Sequence, residues 1–199
     1  MNASRKNDPL LAYLNNTVRY EDNKVILLNR RLYPEETKYV TCNTHEDVAV
    51  AIEDMTIQGA VVLAIAAGYG FVLAFEQEPE LVGDELTTYT NTVYERLMST
   101  RPTGQRLKVI LDKCIAAVKP EIENGKNGAD LAKILLQLMD NQVKEADDIA
   151  IETGKRTANL LEDGDKVLTH CFADSALIHM LLEAKRQNKT IEMYCTDTR

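Results

Sequence analysis

Tryptophan is absent from the 199-residue sequence, and glycine and proline are scarce, at nine and five residues. This scarcity excludes collagen-like, fibrous and low-complexity chains. Basic residues are also in deficit, because 23 Lys and Arg face 31 Asp and Glu, which leaves a formal net charge of −8. A basic surface needs a cation for each nucleic-acid phosphate that it contacts, so this balance argues against a nucleic-acid-binding protein. A small anionic substrate stays compatible, since one or two well-placed basic groups suffice for it.

The cysteines have no metal-ligand spacing, and no CxxC pair occurs. They are Cys42, Cys114, Cys171 and Cys195. In a chain of this length the pattern predicts reduced thiols, no bound metal and a cytoplasmic protein. Residues 1–11 lack an apolar core followed by a small-residue cleavage site, so no signal peptide is predicted.

One long uncharged stretch, residues 56–75, raises the question of a membrane span. A transmembrane helix needs about 20 predominantly apolar residues. Thr56, Gln58 and three glycines dilute this stretch, and acidic residues flank it on both sides. We therefore predict a buried core helix over 59–75 and no association with a membrane.

Short strands are predicted near the N-terminus. Residues 17–22 and 24–29 form a hairpin around the turn residue Asn23, and 38–42 supply a third strand. A capping-box pattern, Thr44 with Asp47, predicts that a helix begins near His45. Further helices are predicted over 85–98, 104–118 and 129–161, with Pro102 at a helix start and Pro120 at a helix end.

The last part of the chain predicts a βαβ unit, with strands at 167–171 and 191–195 and a helix at 175–186. We therefore divide the chain into domains 1–164, of strands and a helical bundle, and 165–199, an incomplete α/β unit. One helix covers only one of two sheet faces. The remaining apolar surface predicts that another copy of the chain, or a second polypeptide, completes the α/β domain.

Six sequence runs carry a resemblance to a known family. They are RLYPEE (31–36), YVTC (39–42), DMTIQGA (54–60), AAGYG (66–70), TRPT (100–103) and VLTHC (167–171). Their order and spacing resemble the methylthioribose-1-phosphate isomerases of methionine salvage. That family is similar in fold to ribose-1,5-bisphosphate isomerase and to the regulatory subunits of translation initiation factor 2B.

The resemblance implies a helical N-terminal part followed by a Rossmann-like domain, and an aldose–ketose isomerase that needs no external cofactor. It implies that Cys171 is the catalytic thiol and that Arg101 holds the substrate. It also implies that Gln58, Gly59 and Ala60 match a phosphate-binding loop.

The sequence departs from the family pattern at several of these places. Gln58 stands where the family has arginine, so a neutral amide replaces a bidentate cation. Phe172 and Asp174 replace an asparagine and a glycine after the thiol, and a carboxylate beside Cys171 opposes ionisation of the thiol. The family's catalytic acid is an aspartate further downstream, and it has no counterpart in this sequence. Residues 197–199 include an aspartate, but they resemble the family's Glu-Thr-Arg after the second strand and not the catalytic acid.

Two functions therefore stay open. The first is a sugar-phosphate isomerase with homologous site residues. The second is a non-catalytic subunit, similar to those of initiation factor 2B, that serves assembly or senses a sugar phosphate or nucleotide. The residues alone leave Cys171 open as a small buried apolar residue and predict His170 as a hydrogen-bonded strand residue. His179 is predicted as a solvent-exposed or helix-face residue, and Arg101 is predicted at a helix start, where the dipole disfavours a cation.

Overall fold

The computed structural model describes residues 8–172 and 174–196. Two short 3-10 helices, Leu10–Ala12 and Leu14–Asn16, come first. The strands and α-helices are then, in chain order, β1 (Val18–Glu21), β2 (Lys24–Leu28), β3 (Tyr39–Cys42), α1 (His45–Glu53), α2 (Ala60–Gln77), α3 (Gly83–Ser99), α4 (Gln105–Glu123), α5 (Gly128–Leu160), β4 (Lys166–Thr169), α6 (Asp174–Arg186) and β5 (Glu192–Cys195). This order confirms the predicted α/β class: short strands, a helical bundle and a C-terminal βαβ unit.

The chain divides into two compact units. The first, residues 17–143, is called the helical unit below; the second, the βαβ unit, comprises the described parts of 1–16 and 144–199. The boundary between the units lies inside α5. The last part of that helix belongs to the βαβ unit, where Ala158 packs with α6 in one apolar cluster. The predicted domain boundary at 164/165 stays a prediction.

Strands β1, β2 and β3 form an antiparallel sheet in the helical unit. The pairing of Glu21 with Lys24 closes the predicted hairpin. Asp22 and Asn23 form its turn with φ values of 50° and 56°. Both residue types tolerate this left-handed conformation, which explains why the turn occurs here.

The capping box predicted at the start of α1 is present. The amide of Asp47 donates to Oγ1 of Thr44 at 3.0 Å, and the amide of Thr44 donates to Oδ2 of Asp47 at 3.0 Å. Two N–H groups that a helix start leaves without partners are thereby satisfied. Helix α1 accordingly begins at His45.

Helix α2 is the buried helix that its composition predicts. Val62 and every residue from 64 to 75 are buried. Among the described residues it is the one helix long and apolar enough to span a membrane, yet most of it is buried inside the protein, as in the core of a globular unit. Gly68 permits close packing, because a Cβ there would lie 2.3 Å from Sδ of Met139.

Two tyrosines make hydrogen bonds to carboxylates in this largely apolar region. Tyr69 donates to Oδ1 of Asp140 at 3.0 Å, and Tyr20 donates to Oε1 of Glu76. Burial, followed by the neighbouring carboxylate, raises the pKa of both tyrosines well above the ordinary value. Both hydroxyls therefore stay protonated and donate hydrogen bonds. These bonds connect β1 and α5 with α2.

The prolines correct two predictions. Pro120 lies inside α4, which continues to Glu123 instead of ending at the proline. Val118 and Ile122 are buried on one face on either side of Pro120, and this packing favours continuation of the helix. Pro102 lies in a turn before α4, whose first residue is Gln105.

The βαβ unit has the predicted parallel pairing, with Lys166 opposite Glu192 and Thr169 opposite Cys195. Its apolar cluster contains Ala158, Met180 and Ala184, against which Met193 packs. The predicted strand at 167–171 ends at Thr169, so Cys171 follows the strand instead of belonging to it.

His179 lies on a buried face of α6, so the helix-face alternative is the one observed. It is only 7% exposed, and its Nε2 lies 2.9 Å from the carbonyl oxygen of Ala12. Its ring packs edge-on against Tyr13 at 5.3 Å. The sequence could not predict this contact, because it depends on residues more than 160 positions apart.

Candidate functional site

The predicted phosphate loop lies at the start of α2. Gln58, Gly59 and Ala60 are exposed, and Gly59 is the N-terminal cap with φ of 100°, which favours glycine. The helix has no capping side chain and no acidic residue in its first turn. Its first N–H groups therefore form a positive end that can accept an anion, although Gln58 adds no charge.

Arg101 lies in the same unit, directly after Thr100, the C-terminal cap of α3. This position corrects the prediction of a helix start: α3 reaches Ser99 and α4 begins only at Gln105, with a turn closed by the Gly104 amide and the Arg101 carbonyl at 2.9 Å. A cation is favourable at this end of α3, so the helix dipole supplies no argument for substrate binding.

A different observation supports an anion-binding role for Arg101. Its Nε is buried and has no hydrogen-bond partner among the described residues. Buried polar atoms in proteins are nearly always hydrogen-bonded, so such a group requires an explanation. A bound anion is an acceptor that satisfies a guanidinium N–H.

Cys171 follows the carboxyl end of β4 in the βαβ unit. It is partly buried and has a φ of 58°, which is uncommon for a residue with a side chain. Its amide donates to Oγ1 of Thr196 at 2.9 Å. His170 beside it is exposed, and its Nδ1 lies 3.2 Å from the same hydroxyl oxygen. The carboxyl ends of parallel strands are where α/β folds bind ligands.

The structure also describes Phe172 and Asp174, the two residues after the thiol that differ from the family pattern. Phe172 is 40% exposed. Asp174 begins α6 with φ of 63°, and its Oδ1 accepts from the amide of Ser175 at 2.8 Å. The start of α6, which could attract a phosphate, thus already carries a carboxylate.

The four cysteines are free and differ in accessibility. Burial raises the pKa of Cys42 to about 12, with the nearby Asp47 adding to the effect. Burial alone raises the pKa of Cys114 to about 12. These two thiols are inert near neutral pH, whereas Cys171 and Cys195 are accessible.

The predicted site residues therefore fall in two groups. Gln58, Gly59, Ala60 and Arg101 belong to the helical unit, and Cys171 belongs to the βαβ unit. Their roles stay predictions. The resemblance noted at residues 197–199 lies outside the described residues.

The start of α2 in the helical unit and the carboxyl end of β4 in the βαβ unit are each the kind of place where ligands bind in proteins. Residues 56–199 match the initiation factor 2 subunit family, and the chain belongs to that family.

Named relatives fall in two functional classes. A Methanocaldococcus jannaschii protein provisionally named methylthioribose-1-phosphate isomerase is 38% identical over 160 residues, covering 77% of this chain and 41% of that protein. The crystal structure of translation initiation factor eIF-2B subunit delta from A. fulgidus matches with a TM-score of 0.74 and 27% identity over 92% of this chain and 54% of its own.

A third match shows the fold alone. The crystal structure of 5-methylthioribose 1-phosphate isomerase from Pyrococcus horikoshii OT3 has a TM-score of 0.74 and 24% identity, over 90% of this chain and 59% of its own. The chain spans about half the length of the curated relatives that it matches, between 41% and 54%.

Proposed function

We propose that this chain forms part of a sugar-phosphate isomerase that converts methylthioribose 1-phosphate into methylthioribulose 1-phosphate in methionine salvage. The observation that carries the proposal is Cys171, an accessible thiol two residues past the end of a parallel strand. Relatives that are 30–38% identical carry the isomerase name. The resemblance of residues 167–171 to a family motif supports a catalytic role for this thiol.

The reaction defines what the residues do. Phosphate on the anomeric oxygen blocks simple ring opening to an aldehyde, so an acid must open the ring and another group must handle the proton at the second carbon. Cys171 handles that proton. Arg101 and the N–H groups at the start of α2, with Gly59 and Ala60, hold the phosphate. Gln58 donates a neutral hydrogen bond where the family has a cation.

The test is turnover of methylthioribose 1-phosphate by the purified chain, followed by NMR detection of the ketose. We expect Cys171→Ser to abolish turnover and Cys195→Ser, the matched accessible thiol, to keep it. Absence of turnover by the unsubstituted chain at high enzyme concentration would show that this chain alone is not a catalyst.

A second function is favoured by Asp174, whose carboxylate lies at the start of α6. A negative charge there repels a substrate phosphate and opposes formation of the thiolate. The chain then acts as a non-catalytic subunit, like those of initiation factor 2B, that serves assembly or senses a sugar phosphate or nucleotide.

Calorimetry separates the two functions. Binding of ribose phosphates or nucleoside monophosphates without turnover supports a non-catalytic subunit that senses these ligands. If none of them binds, only a role in assembly is left. The double substitution Gln58→Arg with Asp174→Gly restores the family residues. A gain of turnover in that variant would assign the missing activity to these two positions.

We also propose that another copy of this chain, or a second polypeptide, covers the outer face of the β4–β5 sheet. Leu168 and Tyr194 are opposite each other on that face and are 74% and 47% exposed. Leu181, by contrast, packs against the cluster inside the unit. A cytoplasmic location is proposed because the four cysteines are free thiols.

A further inference from the structure

Thr196 lies immediately after β5 and next to the candidate thiol. The last pair of the parallel ladder is Thr169 with Cys195. One further backbone bond follows it, from the amide of Thr196 to the carbonyl oxygen of Thr169 at 3.2 Å. The backbone of Thr196 is therefore fixed to the end of β4, beside the loop that carries His170 and Cys171.

The hydroxyl of Thr196 makes two contacts with that loop. Its Oγ1 accepts from the amide of Cys171 at 2.9 Å and lies 3.2 Å from Nδ1 of His170. A hydroxyl has one donor and two acceptor positions. Both contacts therefore form with either tautomer of the imidazole, since Nδ1 donates when protonated and accepts when it is not.

The backbone conformation of Cys171 makes the contact with Thr196 important. Cys171 has a φ of 58°, a conformation that side chains disfavour, so a specific interaction is needed to hold it. The hydroxyl of Thr169 approaches the Cys171 carbonyl oxygen at 3.5 Å, which is long for a hydrogen bond. The shorter bond is the one from the Cys171 amide to Thr196.

We propose that Thr196 is a positioning residue whose hydroxyl holds the Cys171 backbone and the His170 ring at the end of the parallel sheet. Its relevance to catalysis rests on the proposed function, whereas the positioning itself does not. The geometry assigns the role to the hydroxyl, because a valine has the same shape and cannot make either contact.

The experiment compares Thr196→Val with Thr196→Ser, and both measurements are made without substrate. In the first, amide hydrogen exchange at Cys171 is expected to become at least 10-fold faster in the valine variant and to stay unchanged in the serine variant. The amide of Glu192, bonded to the Asp165 carbonyl at the opposite end of the sheet, is the control.

The second measurement is the pH profile of iodoacetamide alkylation, resolved by mass spectrometry for each thiol. Cys195 is accessible and adjacent to Thr196, so it serves as the internal reference. We expect the Cys171 profile to change in the valine variant, because Cys171 is released from its fixed position, and to stay unchanged in the serine variant. The Cys195 profile is expected to stay unchanged in both variants.

Unchanged exchange and an unchanged Cys171 profile in Thr196→Val would overturn the proposal. The same changes in both variants would also overturn it, because the hydroxyl would then not be the responsible group. Absence of isomerase turnover bears on the proposed function alone and leaves these two measurements intact.

Discussion

Helix α2 and the β4–β5 sheet both carry large apolar side chains, but they differ in how completely these side chains are buried. Every residue of α2 from 64 to 75 is buried. In the sheet, Val167 and Met193 are half-buried, whereas Leu168 and Tyr194 are exposed. The helix is surrounded by other elements of its own unit, and the sheet has a helix on one face. The difference teaches that large apolar side chains form a core in one region and leave an exposed apolar face in the other.

The largest expected effect is in the core of the helical unit. Phe75 is fully buried, and its ring centroid lies 5.6 Å from that of Phe71 in an edge-on arrangement. Phe75→Ala removes these contacts and leaves a cavity, so the free energy of unfolding is expected to fall by about 3–5 kcal/mol. Urea unfolding followed by circular dichroism measures it.

The control for this change is Leu160→Ala. Leu160 is 83% exposed, so its truncation is expected to alter stability by less than about 0.5 kcal/mol. A similar loss in both variants would contradict the contrast between buried and exposed apolar residues.

A smaller effect is expected where α5 and α6 approach each other in the βαβ unit. A Cβ at Gly154 would lie 2.5 Å from Cβ of His179 and 2.7 Å from the Met180 amide nitrogen. Gly154→Ala must displace α6, because backbone cannot yield as a flexible side chain does. A loss of about 1–3 kcal/mol is expected, with faster hydrogen exchange in α6.

Thr153→Ala is the neighbouring control, since Thr153 is exposed. It is expected to leave exchange in α6 unchanged. If Gly154→Ala also left it unchanged, the close approach of the two helices would not limit the stability of this unit.

Substitution of Arg96 tests how much ion pairs at the surface of the helical unit contribute to its stability. It donates to Glu46 and to Glu53 at 2.7 Å, which connects α3 with α1. Hydrogen bonding from Arg96 lowers the pKa of both carboxyls, so their contribution to stability is present above the unfolded value, about 4.3. That contribution is lost as the pH falls through the lower folded values. Solvent screening keeps it smaller than the core effects.

Thermal unfolding as a function of pH checks this expectation. Arg96→Gln should lower the unfolding temperature at pH 7, and the difference from the unsubstituted protein should shrink at acidic pH. The matched exposed residue is Arg106, and Arg106→Gln should show no such dependence. A pH-independent difference for Arg96→Gln would show that its packing matters and its charge does not.

Local patterns in the sequence predicted much of this fold. The hairpin at Asn23, the capping box at Thr44 and the parallel strands of the βαβ unit are confirmed, because each depends on residues near one another or on a clear hydrophobic period. The apolar composition of α2 likewise predicted its burial.

Predictions that depend on distant contacts were less accurate. Pro120 lies inside α4 because packing of its buried face outweighs the local signal, and His179 is buried because Ala12 supplies its partner. Thr196 was missed as well. A usable signal existed, since two parallel strands end at the same edge of a sheet and a hydroxyl directly follows the second one.

The smallest expected effect on stability lies on the outer face of the β4–β5 sheet. Leu168 is 74% exposed, so Leu168→Thr is expected to change the free energy of unfolding by less than about 0.5 kcal/mol. Threonine retains the preference for strands, and its smaller apolar surface weakens contact with a covering polypeptide.

The contrast between the buried helix α2 and the exposed sheet face is tested best when stability and self-association are measured on the same variants. If a second copy covers this face, sedimentation should show self-association that Leu168→Thr weakens and Leu160→Gln, an exposed leucine outside the sheet, leaves unchanged. If a different polypeptide covers it, the chain sediments as a monomer and the substitution acts only on that complex. A loss of more than about 2 kcal/mol in Leu168→Thr, with association unchanged, would show instead that this leucine already supports the chain's own core.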